Sequence, residues 1–183
     1  MGGFIVEILM ITGSPHRDGT SNILACEFIR GAEEAGHNVY RFDSAFEDVS
    51  PCRGCDSCRV HGGKCVYSDS MDKIYDKIIS SDMIVFVSPL YYFGLSAQIK
   101  TVIDRFYSIN YEIMGSLKKS ALLATAADGN DWTMSALELN YDNIVRYLGF
   151  EDCGKILATF CYLKPDIINS NYPDMAYELG KSL

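Results

Sequence analysis

Apolar positions fall into two alternating kinds of run: short continuous blocks, and blocks spaced at three and four residues. Phe4 to Thr12 is nearly continuous, β-branched and apolar, and ends in Gly13-Ser14-Pro15, the pattern of a buried parallel strand entering a loop. From Thr20 the spacing becomes helical through Leu24, Ala25, Phe28, Ile29 and Ala32, and Gly36 closes the run. Asn38 to Phe42 predicts a second strand, whereas Asp43 to Ser68 has no period and reads as a long functional loop. Helical spacing returns at Met71, Ile74, Tyr75 and Ile78, with Asp69 or Ser70 as the N-cap. Met83 to Val87 predicts strand three, and Ile99, Val102, Ile103 and Phe106 a helix capped by Ser96. Ala121 to Ala127 predicts strand four, followed by a helix through Leu137, Tyr141, Ile144, Val145 and Leu148 that stops at Gly149. Ile156 to Tyr162 predicts strand five, and a last helix starts at Pro173.

Strands that are apolar on both faces and alternate with helices require a parallel sheet covered on both sides. Five of them with right-handed crossovers give an α/β, three-layer doubly wound fold, with the flavodoxin order 2-1-3-4-5. In such sheets a ligand sits outside the carboxyl ends of the strands, where the order reverses. The least regular loops, 13–20, 89–95 and 128–132, fall there.

The length of 183 residues predicts one domain spanning 1–183, with a cysteine-rich loop at about 44–68. Apolar residues make up 48%, enough to fill a core. The formal charge of −8 argues against a nucleic-acid or anionic-membrane surface. No apolar run reaches the roughly 18 residues of a membrane span, and the first residues lack a basic signal-peptide region. The expectation is a soluble cytoplasmic protein, in which seven cysteines call for a reason other than structural disulfides.

Gly13-Ser14-Pro15-His16-Arg17-Asp18-Gly19-Thr20-Ser21-Asn22 leads from strand one into a helix N-terminus. Backbone amides and the positive end of the helix dipole favour an anion there, and Ser14, Thr20, Ser21 and Asn22 add neutral donors. The loop has neither the lysine of a Walker motif nor the spacing of GxGxxG. Read alone, it is equally an ordinary turn with a Ser/Thr cap. In the third loop, Ser88-Pro89-Leu90-Tyr91-Tyr92-Phe93-Gly94 sets three adjacent aromatics at a sheet edge, suited to a flat ring or to a subunit interface.

GSPHRDGTSN followed by SPLYYFGLSAQIKTVIDRF resembles the flavodoxin-like NAD(P)H-dependent FMN reductase and quinone reductase family over about residues 4–130. The resemblance implies FMN, its phosphate at Ser14, Thr20, Ser21 and Asn22, and its ring and ribityl chain bordered by Pro89, Leu90, Tyr91, Tyr92, Phe93 and Gly94. Relatives carry Arg directly after the Ser-Pro, whereas this chain has His16 and then Arg17, so either could approach the phosphate. Asp128, Asn130 and Trp132 would contact the ring edge or the substrate, or else form a turn ahead of a helix.

Cys52, Cys55, Cys58 and Cys65 form C-x2-C-x2-C-x6-C, three thiols at three-residue spacing with Gly62-Gly63 letting the fourth return. That set suits a 4Fe-4S cubane better than structural zinc. Free thiols, labile disulfides and zinc remain open. The spacing also resembles the iron–sulfur flavoproteins, a branch of the same fold family. His61 reads as an exposed loop residue, and Cys26, Cys153 and Cys161 as core packing.

His16, His37 and His61 lie in separate segments, so no catalytic triad is expected and the chemistry would be carried by FMN. The leading expectation is an oxidoreductase that passes electrons from NAD(P)H to a quinone, flavin or similar small-molecule acceptor. The alternative is an iron–sulfur flavoprotein that carries electrons to a ferredoxin-like partner, and a third class is a nonredox phosphate-ligand sensor. Family members are commonly homodimers or homotetramers, with Tyr107, Tyr111 and Met114 the contact residues expected here.

Overall fold

The computed structural model describes residues 4–183. Five parallel strands form the sheet: β1 (Glu7–Thr12), β2 (Asn38–Asp43), β3 (Met83–Tyr91), β5 (Lys119–Thr125) and β6 (Glu151–Ala158). A two-residue strand, β4 (Gly94–Leu95), folds back antiparallel on the end of β3. The order is β2-β1-β3-β5-β6, which is the expected 2-1-3-4-5 once the β4 arm is set aside.

The helices are α1 (Thr20–Glu34), α2 (Ser57–Val60), α3 (Tyr75–Ser80), α4 (Ala97–Arg105), α5 (Asn110–Ile113), α6 (Ser135–Leu148), α7 (Lys164–Ile168) and α8 (Tyr172–Lys181). Side chains alternate across the sheet, so Ile8 and Met10 face one layer and Leu9 and Ile11 the other. Leu24, Phe28 and Ala176 from α1 and α8 cover the first face, where Gly31 and Gly180 bring these helices together. A Cβ on Gly31 would lie 2.0 Å from Tyr177 O, and one on Gly180 2.2 Å from Phe28 O. Ile78, Val102 and Tyr141 from α3, α4 and α6 fill the opposite layer.

Several boundaries differ from the sequence pattern, each for a pairing reason. β1 begins at Glu7, opposite Asn38 at the start of β2, its pairing with β3 begins one residue later at Ile8 and Met83, and Phe4 is exposed outside the sheet. The last strand runs 151–158 rather than 156–162: it is an edge strand, so its first half, Glu151–Lys155, is polar and escapes an apolar search. The helix expected from Asp69 is a 3-10 turn (Ser70–Lys73) leading into α3, and Asp69 caps it by accepting from the Met71 amide at 2.9 Å. Ser96 precedes α4, but its hydroxyl donates to Gly13 O at 2.8 Å instead of capping the helix. α6 stops at Gly149 with φ +70°, as its position implied. Cys161 is buried and Cys153 half-buried, but Cys26 sits on the solvent face of α1 and is not a core residue. Among the described residues no helix is long and apolar enough to cross a membrane.

Candidate functional site

A cleft of about 660 Å³ opens at the carboxyl ends of β1, β3, β5 and β6, inside the range of small-ligand sites. Its floor is the first loop. Gly13 N donates to Val87 O at 2.8 Å, tying the loop to β3. The buried Ser14 hydroxyl accepts from the His16 amide at 3.1 Å, and Gly19 N donates to His16 O at 3.1 Å, which closes the loop on itself. α1 then starts after Gly19 with no side-chain cap and no acidic residue in its first turn. A 15-residue helix so left presents unpaired amides and a positive dipole end to the cleft, where Thr20 and Ser21 also lie. The Thr20 hydroxyl donates to Thr125 Oγ1 at 3.0 Å, linking this helix start to the end of β5.

Ser14, His16, Arg17, Thr20, Ser21, Pro89, Leu90 and Tyr91 are brought together along the cleft. Asn22 is not: its Oδ1 accepts from Arg41 Nη2 at 2.6 Å, within a network that continues to Asp43 and Thr12. The Arg17 guanidinium is parked over the Phe46 ring, 3.7 Å from its centroid.

The third loop is a hairpin. Leu90 pairs with Leu95 and Tyr91 with Gly94, leaving Tyr92 and Phe93 as the two turn residues with φ of +46° and +62°. Positive φ at both positions is the turn that Asn-Gly favours, so two aromatics there hold unfavourable backbone geometry. Tyr92 is fully exposed, and Phe93 packs on Trp132 with centroids 5.0 Å apart. Tyr92, Phe93 and Gly94 thus stand at the rim, beyond the cleft lining.

Asp128 is turned into its own loop. It accepts from Thr133 Oγ1 at 2.6 Å, from Asn130 Nδ2 and from the Gly129 amide, and these bonds hold its carboxyl below the usual range. This is the turn reading of that segment. The opposite wall, Cys161, Tyr162, Leu163 and Lys164, was missed, as were Thr125 and Ala127. Placing strand five four to five residues too late, at 156–162 instead of 151–158, hid this wall. The rule that ligands lie past the carboxyl ends of the strands would have found it.

The cysteine loop lies on the α4 side of the molecule. All four of its cysteines border one small concavity, with Cys52 and Cys55 exposed and Cys58 and Cys65 half-buried. Asp56 adopts φ +56°, and its carboxylate accepts from the Tyr107 hydroxyl at 2.6 Å. Hydrogen bonds from Ser57 pull the Cys55 thiol below its ordinary pKa. His61 is exposed, as expected. Among the described residues no three His, Cys, Asp or Glu side chains could hold a single metal ion together. A cubane differs in needing its thiolates spread over four corners, and four cysteines around one hollow supply that donor set.

A family model described as NADPH-dependent FMN reductase matches residues 6–150. An iron–sulfur flavoprotein of Methanocaldococcus jannaschii is 34% identical over 100 residues, 55% of this chain and 51% of that protein. The chain spans about half the length of the curated iron–sulfur flavoproteins it matches. A Bacillus subtilis protein named as an NAD(P)H-dependent FMN-containing oxidoreductase is 21% identical over 84% of both chains. In three dimensions, an NAD(P)H:quinone oxidoreductase from Methanothermobacter marburgensis superposes with a TM-score of 0.77 at 16% identity, covering 98% of this chain and 96% of that one.

Proposed function

The chain belongs to the NADPH-dependent FMN reductase family, and from that premise we propose that it is an FMN-dependent oxidoreductase that draws electrons from NAD(P)H and delivers them to a small-molecule acceptor such as a quinone or flavin. The observation that carries this reading is the pairing, in one cleft, of an uncapped helix start with an aromatic hairpin. Ser14, Thr20, Ser21 and the amides of the first turn would hold the phosphate, with His16 and Arg17 at the mouth. Asn22 would join only by leaving Arg41. Pro89, Leu90 and Tyr91 would flank the ring, and Phe93 with Trp132 would close its outer edge.

Bound there, FMN supplies hydride acceptance and onward electron transfer. The protein's own part is orientation and exclusion of water. Thr20 and Thr125 lock the helix start to the sheet, Leu90, Ala127 and Leu163 form apolar walls, and the internal bonds of Asp128 fix the loop that carries Trp132.

A second reading is favoured by the cysteine hollow: Cys52, Cys55, Cys58 and Cys65 would hold a 4Fe-4S cluster, making the protein a one-electron carrier to a ferredoxin-like partner. The sequence similarity to iron–sulfur flavoproteins supports it. Exposed Tyr107, Tyr111 and Met114 offer a contact surface for a homodimer or homotetramer.

Purification without oxygen separates these readings. Yellow protein bleached rapidly by NADPH supports the reductase, and brown protein with matching iron and sulfide supports the carrier. Colourless protein that cannot take up FMN refutes both and leaves the phosphate-ligand sensor. Tyr91→Ala with Phe93→Ala should weaken FMN binding at least tenfold with the fold intact, and unchanged affinity would assign these aromatics to an interface. Cys55→Ser should abolish the iron absorbance and leave FMN in place.

A further inference from the structure

Arg105, the last residue of α4, reaches into the base of the cysteine loop with its side chain 2% exposed. Nη1 donates to Ser50 O at 2.8 Å and to Asp69 Oδ2 at 2.5 Å, and Nη2 donates to Tyr67 O at 3.3 Å and to the Tyr75 hydroxyl at 3.1 Å. Asp69 Oδ2 in turn accepts from the Ser50 amide at 3.1 Å. The two terminal nitrogens are therefore committed to the chain just before and just after the four thiols. Nε is left, buried and without a hydrogen-bond partner. Buried guanidinium N–H groups are ordinarily paired, because an unpaired one forfeits its hydration with no return. Arg105 also borders the hollow that Cys52, Cys55, Cys58 and Cys65 line.

We propose that Arg105 is the positioning residue of a cysteine-bound iron–sulfur cluster: its terminal nitrogens close the loop that presents the thiolates, and its Nε supplies a charge-assisted N–H to sulfur in the hollow. This rests on the cluster reading above. A fixed cation beside an anionic cluster favours the more negative, reduced state and so raises the reduction potential. Arg53 also borders the hollow, but it is exposed and lies over the Tyr67 ring at 4.5 Å, where solvent screens its charge.

The experiment reconstitutes parent, Arg105→Lys and Asp69→Asn with ferrous iron and sulfide without oxygen. It reads midpoint potential, iron release to a chelator, and FMN binding as the check on folding. Arg105→Lys keeps a cation but cannot bridge both flanks or donate from Nε. It should bind FMN as the parent does, release iron at least tenfold faster, and show a lower potential. Asp69→Asn weakens the closure but keeps Nε, so it should speed release while moving the potential less. A loaded parent with potential and release unchanged in Arg105→Lys overturns the proposal and leaves the cluster reading standing. Loss of FMN together with iron in Arg105→Lys assigns Arg105 to the whole fold and also overturns it. A parent that takes up neither iron nor sulfide overturns both.

Discussion

Gly13 has room for a hydrogen and nothing larger, since a Cβ there would lie 2.3 Å from Ser96 Oγ and 2.8 Å from Ile99 Cβ. Gly13→Ala should therefore push the first loop off the start of α4, costing about 1–3 kcal/mol of stability in denaturant unfolding and loosening flavin binding in the same titrations. Asp69 gives a second expectation at this scale. Burial opposes its charge, but hydrogen bonds from Arg105 and from the Met71 and Ser50 amides outweigh that and hold its carboxyl below the ordinary value of 3.8. A carboxyl with a depressed folded pKa contributes fully above its unfolded pKa and loses the contribution as pH falls below it. Proteolysis within residues 51–67 should accordingly accelerate as pH drops below about 4. Asp69→Asn, which leaves a buried guanidinium without its carboxylate, should cost about 3–5 kcal/mol and show no such acid step. Asp69 was legible as a helix cap from its place before an apolar period. Its ion pair with Arg105, 36 residues away, was not, because nothing local marks a long-range partner.

Most helices and strands were legible because burial on a defined face imposes a period, as in α1 and β3. Elements that escaped are those without that constraint: the polar first half of the edge strand β6, the short helices α2, α5 and α7, and the β4 arm. The sequence showed three aromatics after strand three but no hairpin, since Tyr92-Phe93 lacks the Gly or Asn that announces such a turn. That mismatch yields a direct expectation. Tyr92→Gly relieves a positive φ at a fully exposed position and should raise stability by about 0.5–1 kcal/mol in chemical denaturation. A fall in stability instead would mean that the Tyr92 ring makes contacts in solution that stabilise the turn.

For the molecule as a whole, the strand order places the cleft, and the order follows from alternation and handedness, so the cleft's location was readable from the pattern alone. A formal charge of −8 repels phosphorylated ligands in general, while the first loop attracts one locally. Raising salt from about 10 to 150 mM, which shortens the screening length from roughly 30 to 8 Å, should therefore speed FMN association in stopped flow. The opposite slope would show that Arg17, His16 and Lys164 dominate the approach. One consequence of the Arg105 fork concerns modularity. Because a single guanidinium pins residues 50 and 67, together with Asp69, the intervening stretch leaves and re-enters the sheet scaffold at nearly one point. It is in effect a detachable cassette: excised and replaced by a few glycines, it should leave a flavin carrier behind, and grafted onto another doubly wound scaffold with an equivalent arginine, it should bring its thiols along as a set.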